Sequence, residues 1–180
     1  MQRTRADGSL MWVSISGAPI FDAEGRFAGY RGTGREISAR KQAEADIERL
    51  AFYDALTGLP NRRLLIDRLC QSIAACARRG CYGALLFIDL DNFKVLNDTR
   101  GHHMGDQLLK QVGARLCACV RAADTVARLG GDEFVVMLEE LSEFQQEAVM
   151  QTEAVGSKIL AAFTQPYQLD TYEHTSTTSI

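Results

Sequence analysis

Val126–Leu138, VARLGGDEFVVML, decides the fold. Two apolar runs of strand length flank Gly130-Gly131, and paired glycines suit a tight turn that needs positive φ. The segment reads as a β-hairpin carrying Asp132-Glu133 just past its turn. An acidic pair at a turn is ordinarily a solvated surface feature. A second acidic cluster changes that reading. Ala84–Leu90, ALLFIDL, is a short apolar strand that ends in Asp89-Leu-Asp91. Carboxylates two apart project to one face of a strand. If the hairpin lies beside this strand, Asp89 and Asp132 converge. Converging carboxylates repel unless a cation sits between them. Hard oxygen ligands select Mg²⁺ or Mn²⁺, which keep water and phosphates in their shell. That chemistry suits phosphoryl or nucleotidyl transfer.

Outward from these strands, helix and strand alternate. Pro60–Arg79 reads as a helix with Leu64, Leu65, Leu69, Ile73 and Ala77 inward, ended by Gly80. Gly105–Arg121 reads as a second helix, with Leu108, Leu109, Val112 and Leu116 on one side. Glu143–Phe163 reads as a third. Thr175–Ile180 begins another strand. Asn92–Asp98, after the acidic strand, reads as a turn whose backbone N–H groups could meet phosphates, with Lys94 as a point charge or as an exposed loop lysine. Asn97 and Asp106 could read a base. A carboxylate can accept from guanine N1–H and the 2-amino group, donors that adenine lacks. Alone, Asp106 is an acidic residue favoured at a helix start.

The first 35 or so residues have a different character. Leu10, Trp12, Val13 and Ile15 alternate with small and polar residues, and Asp7-Gly8 and Asp22–Gly25 are turn signals. Antiparallel strands are expected. Ser38 is placed to cap a helix running to Leu50. Ala43, Ile47 and Leu50 are spaced either as a coiled-coil seam or as the apolar side of a simple linker helix.

The chain has 180 residues, room for one domain and a fragment of another. Its net charge of -3 argues against a large nucleic-acid-binding surface. Five cysteines form no CxxC pair, and an odd number cannot all pair within one chain. Reduced thiols in a cytoplasmic protein are expected. No run is long and apolar enough to span a membrane, and no signal peptide is evident. The expectation is a cytoplasmic protein, or the cytoplasmic part of a membrane-anchored one, with no membrane contact in this chain.

Several spaced motifs agree in order: Asp54–Arg62 (DALTGLPNR), Phe87–Lys94 (FIDLDNFK), Asn97-Asp98, Gly101-His102, Gly105-Asp106 and Arg128–Phe134 (RLGGDEF). Together they resemble the GGDEF-domain diguanylate cyclases from about residue 50 onward. The resemblance implies an α/β (α+β) fold like the palm of nucleotidyl cyclases and polymerases, with a central, mostly antiparallel sheet flanked by helices. It implies condensation of two GTP into cyclic di-GMP with release of pyrophosphate. Asp89, Asp132 and the Leu90 carbonyl would hold Mg²⁺ or Mn²⁺. Glu133 would be general base or a further metal ligand. Asn97 and Asp106 would bind guanine. Lys94 and the Asn92-Phe93 backbone would hold phosphates, and Arg128 would stabilise charge around them. Each domain would hold one GTP, so a homodimer is expected. Arg121-Ala-Ala-Asp124 resembles the family's RxxD site for product inhibition; otherwise it is a salt-bridged helix end.

Residues 1–37 resemble the C-terminal strands of a PAS domain, 38–52 a signalling linker helix, and 53–180 a GGDEF domain cut short at its C-terminus. The alternative function is a non-catalytic receptor for GTP or cyclic di-GMP that regulates an attached domain.

Overall fold

The computed structural model describes all residues, Met1–Ile180. The chain divides into two compact units, Met1–Arg49 and Leu50–Ile180.

In the first unit, β1 (Gln2–Thr4), β2 (Leu10–Phe21) and β3 (Phe27–Glu36) form an antiparallel sheet in that order. Aspartates build both turns. Asp7 accepts from the Ser9 N–H and hydroxyl, and Asp22 accepts from the N–H groups of Glu24 and Arg26. Gly17 and Gly32 pair across β2 and β3. No residue of this unit is buried. Helix α1 (Ser38–Phe52) follows. Ser38 does not cap it. The Ser38 hydroxyl accepts the Trp12 N–H at 2.9 Å, which ties the helix start to β2. The Ile37 carbonyl receives the Lys41 N–H instead. Ile47 and Leu50 are 68% and 70% exposed.

The second unit contains α2 (Arg62–Arg79), β4 (Ala84–Leu90), α3 (Phe93–Arg100), α4 (His102–Cys119), β5 (Thr125–Gly130), β6 (Glu133–Leu138), α5 (Gln145–Phe163), the hairpin β7 (Tyr167–Leu169) and β8 (Tyr172–His174), and β9 (Thr178–Ser179). Its main sheet has the order β5-β6-β4-β9, antiparallel throughout. The expected mixed α/β fold with a mostly antiparallel sheet and flanking helices is borne out. On one face, Leu86, Ile88 and Leu90 of β4 join Phe134, Val136 and Leu138 of β6. They pack with Leu108, Leu109, Val112 and Leu116 of α4 and Ile159 and Phe163 of α5. On the other face, Leu65 of α2 packs on Ala127, Val135 and Met137.

Three expectations for this unit need correction, and one hairpin is new. Helix α2 starts at Arg62 rather than Pro60, because the Asn61 side chain accepts from the N–H groups of Arg63 and Leu64 and caps it. Ile73 is 61% exposed and Ala77 is also exposed, while Ser72 is buried. Helix α2 lies against β5, and the nearby face of β4 keeps Leu85 and Phe87 in solvent, so the helix's later apolar positions gain no cover. The segment after β4 is helix α3, not a turn. Leu96 is buried beneath it, and packing settled a segment too short to declare its period. The β7–β8 hairpin was not anticipated; a left-handed Asp170 (φ 51°) turns it where a glycine would have been the signal.

Candidate functional site

The carboxylates meet because strand register makes them meet. Asp89 of β4 stands directly opposite Glu133 of β6. Asp132 sits in the turn just before Glu133, and Gly130 (φ 140°) and Gly131 (φ 54°) supply the backbone that turn needs. Burial, then repulsion from Asp132, Glu133 and Asp91, raises the Asp89 carboxyl above its ordinary value of 3.8. Asp91 lies past the strand end and is held elsewhere. Its carboxylate accepts from the hydroxyls of Thr177 (2.6 Å) and Ser179 (3.1 Å), which secures β9 beside β4. No three His, Cys, Asp or Glu side chains gather tightly enough to hold a metal alone. The unrelieved repulsion at Asp89 and an all-oxygen donor set nevertheless fit a hard divalent cation that takes its remaining ligands from water and phosphate.

Arg128 is committed inside the fold. Its Nη1 donates to both Asp54 carboxylate oxygens at 3.0 and 3.1 Å. Its Nε and Nη2 donate to the Gly131 carbonyl at 3.1 and 2.7 Å. The side chain is 10% exposed. The guanidinium thus braces the glycine turn that presents Asp132 and Glu133, rather than standing free as a charge. Asp54 also accepts from the Thr57 N–H and hydroxyl. Burial pushes its pKa up, but the hydrogen bonds from Thr57 and Arg128 outweigh burial and hold it below the ordinary value. In the sequence Asp54 and Thr57 stand only as members of the DALTGLPNR motif. Their link to Arg128 spans 74 positions and left no local signal.

Asn92 takes a left-handed conformation (φ 59°) and leads into α3. Its carbonyl accepts from Val95 and Leu96. The N–H groups of Phe93 and Lys94 precede the first residues with intrahelical partners, so they remain available to an anion. Lys94 is exposed and Phe93 packs against the core. Asn97, further along α3, lies against Gly105 of α4. A Cβ on Gly105 would collide with Asn97 Oδ1 and lie 3.0 Å from Asn97 Cγ and 3.2 Å from Phe93 Cζ. Asn97 Oδ1 is buried without a hydrogen-bond partner. Asp106, the next residue after Gly105, is exposed. The α3–α4 junction therefore gathers Asn97 and Asp106. Gly105 makes the close seating of Asn97 possible, a steric role that its place in the motif did not announce.

Arg121 and Asp124 do not form a salt bridge. The Asp124 carboxylate accepts the backbone N–H of Arg121 at 2.9 Å and of Glu139 at 3.3 Å. Asp124 is thus a turn-building residue, and Arg121 is exposed. Beside this turn, Arg68, Arg78, Ala122, Ala123 and Thr125 line a polar groove. Arg68 donates to the Thr125 hydroxyl at 3.0 Å.

Residues 51–180 match the family described as diguanylate cyclase, GGDEF domain. The chain is similar to the bifunctional diguanylate cyclase/cyclic di-GMP phosphodiesterase MucR of Pseudomonas aeruginosa, with 46% identity over 132 residues, 73% of this chain and 18% of that protein. It is 40% identical over 101 residues to the diguanylate cyclase DgcP of Escherichia coli, covering 56% of this chain and 30% of that one. It also resembles the solved GGDEF domain of PA1120 (TpbB or YfiN) from Pseudomonas aeruginosa, with a TM-score of 0.66, 35% identity, and coverage of 70% of this chain and 71% of that one. The chain therefore spans less than a third of either curated relative. No helix is long and apolar enough to cross a membrane.

Proposed function

The chain belongs to the GGDEF family of diguanylate cyclase domains, and from that premise we propose that the protein containing it condenses two GTP into cyclic di-GMP and two pyrophosphates. The observation that carries this reading is the pairing of Asp89 with Glu133 across β4 and β6, beside Asp132 in the turn. The raised Asp89 pKa supports a cation site there. Asp89, Asp132 and the Leu90 carbonyl would hold Mg²⁺ or Mn²⁺, and a bound ion would polarise the reacting phosphate and lower the pKa of the attacking 3′-hydroxyl. Glu133 accepts the 3′-hydroxyl proton or adds a ligand. The N–H groups of Phe93 and Lys94, with the Lys94 ammonium, bind phosphate oxygens at the start of α3. Asn97 and Asp106 read the guanine edge. Arg128 acts through the turn it braces.

One GTP per domain requires two domains face to face. The exposed Ile47 and Leu50 of α1, with Ala43, support pairing of this helix with a second copy. Residues 1–37 are read as the last strands of a PAS-like sensory domain, in a cytoplasmic setting. Arg121 and Asp124, with the neighbouring Arg68 and Arg78 groove, form a site for product feedback. Guanine presents acceptors that arginine can pair with.

The test is chromatography of products after incubating the full-length protein with GTP and Mg²⁺. Cyclic di-GMP is expected, and Glu133→Gln should abolish it. Wild-type product from that variant would refute the role of Glu133. Nucleotide binding without turnover would instead favour a non-catalytic receptor.

A further inference from the structure

Two cysteines meet at the C-terminal end of α2, away from the carboxylates. Gly80 ends the helix in the left-handed region (φ 74°, ψ 19°). The Gly80 N–H bonds to the Cys76 carbonyl at 2.8 Å, and the Cys81 N–H reaches the same carbonyl at 3.3 Å. A helix end closed by a bond from the residue after the left-handed position draws together the side chains at its two ends, where an apolar contact usually sits. Here both side chains are thiols. Their sulfurs are 3.2 Å apart. A disulfide needs about 2.05 Å, so roughly 1 Å of closure joins them. The close approach is a product of the cap geometry.

The pair is also reachable. Cys76 and Cys81 are both half-buried and line a groove of about 430 Å³ with Leu69, Tyr82 and Leu85. The other three cysteines are Cys70 and Cys117, both exposed, and Cys119, which is buried. Only Cys81 and Cys76 have sulfurs within hydrogen-bonding distance of each other. The Cys81 thiol donates to the Cys76 sulfur, and that bond pushes the Cys81 thiol upward, so the first attack is assigned to Cys76.

We propose that Cys76 and Cys81 form a reversible dithiol–disulfide pair oxidised by hydroperoxides. The Cys76 thiolate attacks the terminal peroxide oxygen. The O–O bond breaks, the leaving alkoxide or hydroxide takes a proton, and Cys76 becomes a sulfenic acid. The Cys81 sulfur then attacks the Cys76 sulfur, the S–O bond breaks, and water leaves with the Cys81 proton. Two thiols lose two electrons, and one hydroperoxide is reduced to an alcohol, or to water when it is hydrogen peroxide. A cellular thiol reverses the step by exchange. The bond would staple the end of α2 to the connection that leads into β4.

The experiment treats the reduced full chain with one equivalent of hydrogen peroxide, then counts and maps thiols. Denatured thiols should fall from five to three. The digest should contain a Cys76–Cys81 cross-link with two hydrogens lost, and dithiothreitol should restore all five. In Cys81→Ser, a sulfenic acid should be trapped on Cys76 by dimedone, whereas the wild-type chain should give little adduct. Five surviving thiols, cross-links through Cys70 or Cys117, or direct conversion to sulfinic acid would overturn the proposal.

Discussion

Phe27 and Phe134 both sit in antiparallel strands of this chain, yet one is 57% exposed and the other fully buried. The two sheets around them obey the same backbone rules. β2 and β3 pair over almost their whole length, as β4 and β6 do. They differ in the next layer. The sheet of Met1–Arg49 buries no residue, whereas that of Leu50–Ile180 carries helices on its faces. Alternation and turn residues are enough to write a ladder, but a core needs a second layer. The sharpest way to break the comparison is to truncate both phenylalanines. Phe134→Ala should cost about 3–5 kcal/mol in urea unfolding, the usual penalty for emptying a packed aromatic site. Phe27→Ala should stay within the scatter of surface substitutions. Equal losses would mean that the first sheet has a covering layer in solution.

The glycines sharpen the same contrast. A Cβ on Gly32 would lie 2.8 Å from the Ser16 carbonyl, a rigid backbone atom of the β2–β3 ladder. A Cβ on Gly105 would strike the Asn97 side chain. The first substitution should cost stability, the second nucleotide recognition. Overpacking costs about 1–3 kcal/mol, so Gly105→Ala should reduce kcat/KM for GTP by about 5- to 150-fold, mostly through KM. The check is a double-mutant cycle. In an Asn97→Ala background Gly105→Ala should cost much less, because the Asn97 side chain it displaces is gone and only the 3.2 Å approach to Phe93 Cζ remains. Additive losses would reduce Gly105 to a fold residue. An Asn97→Ala enzyme with unchanged KM would instead remove Asn97 from the guanine site.

The contrast also explains what could be read in the sequence. The Val126–Leu138 hairpin, the Ala84–Leu90 strand and the apolar side of α4 were legible because each declares itself within a few residues. Placing those strands side by side led to the expectation that Asp89 meets Asp132; the register sets Glu133 directly opposite Asp89, with Asp132 in the adjoining turn. Ile73 and Ala77 misled because periodicity marks an apolar side of a helix without saying whether anything covers it. Ser38 misled because a capping hydroxyl and a hydroxyl bound to a neighbouring strand look alike in one dimension. The brace between Arg128 and Asp54 was not legible because the two residues are distant in sequence. The close approach of Gly105 to Asn97 was invisible because steric exclusion across two helices leaves no spacing pattern.

The ion pairs give the smallest and most specific contrast. Arg26–Asp22 spans a turn of the first unit, with the arginine 74% exposed. Arg128–Asp54 is 10% and 21% exposed and also holds the Gly131 carbonyl. Removing a surface partner changes little. Removing one partner of a largely buried, hydrogen-bonded pair leaves the other's polar atoms unpaired, so Arg128→Ala should cost about 1–2 kcal/mol. The pH profile separates this pair from simple packing. Asp54 has a folded pKa below its ordinary 3.8. Above 3.8 both folded and unfolded states are ionised, and the full contribution of the bonds that Thr57 and Arg128 make to the carboxylate is present. As pH falls below 3.8 the unfolded state takes up the proton first, and stability declines until the folded carboxyl is protonated as well. Asp54→Asn should lower stability at neutral pH and remove this share of the acid-side slope. An unchanged slope in Asp54→Asn would mean that the bonds from Thr57 and Arg128 do not hold the Asp54 carboxyl low in solution.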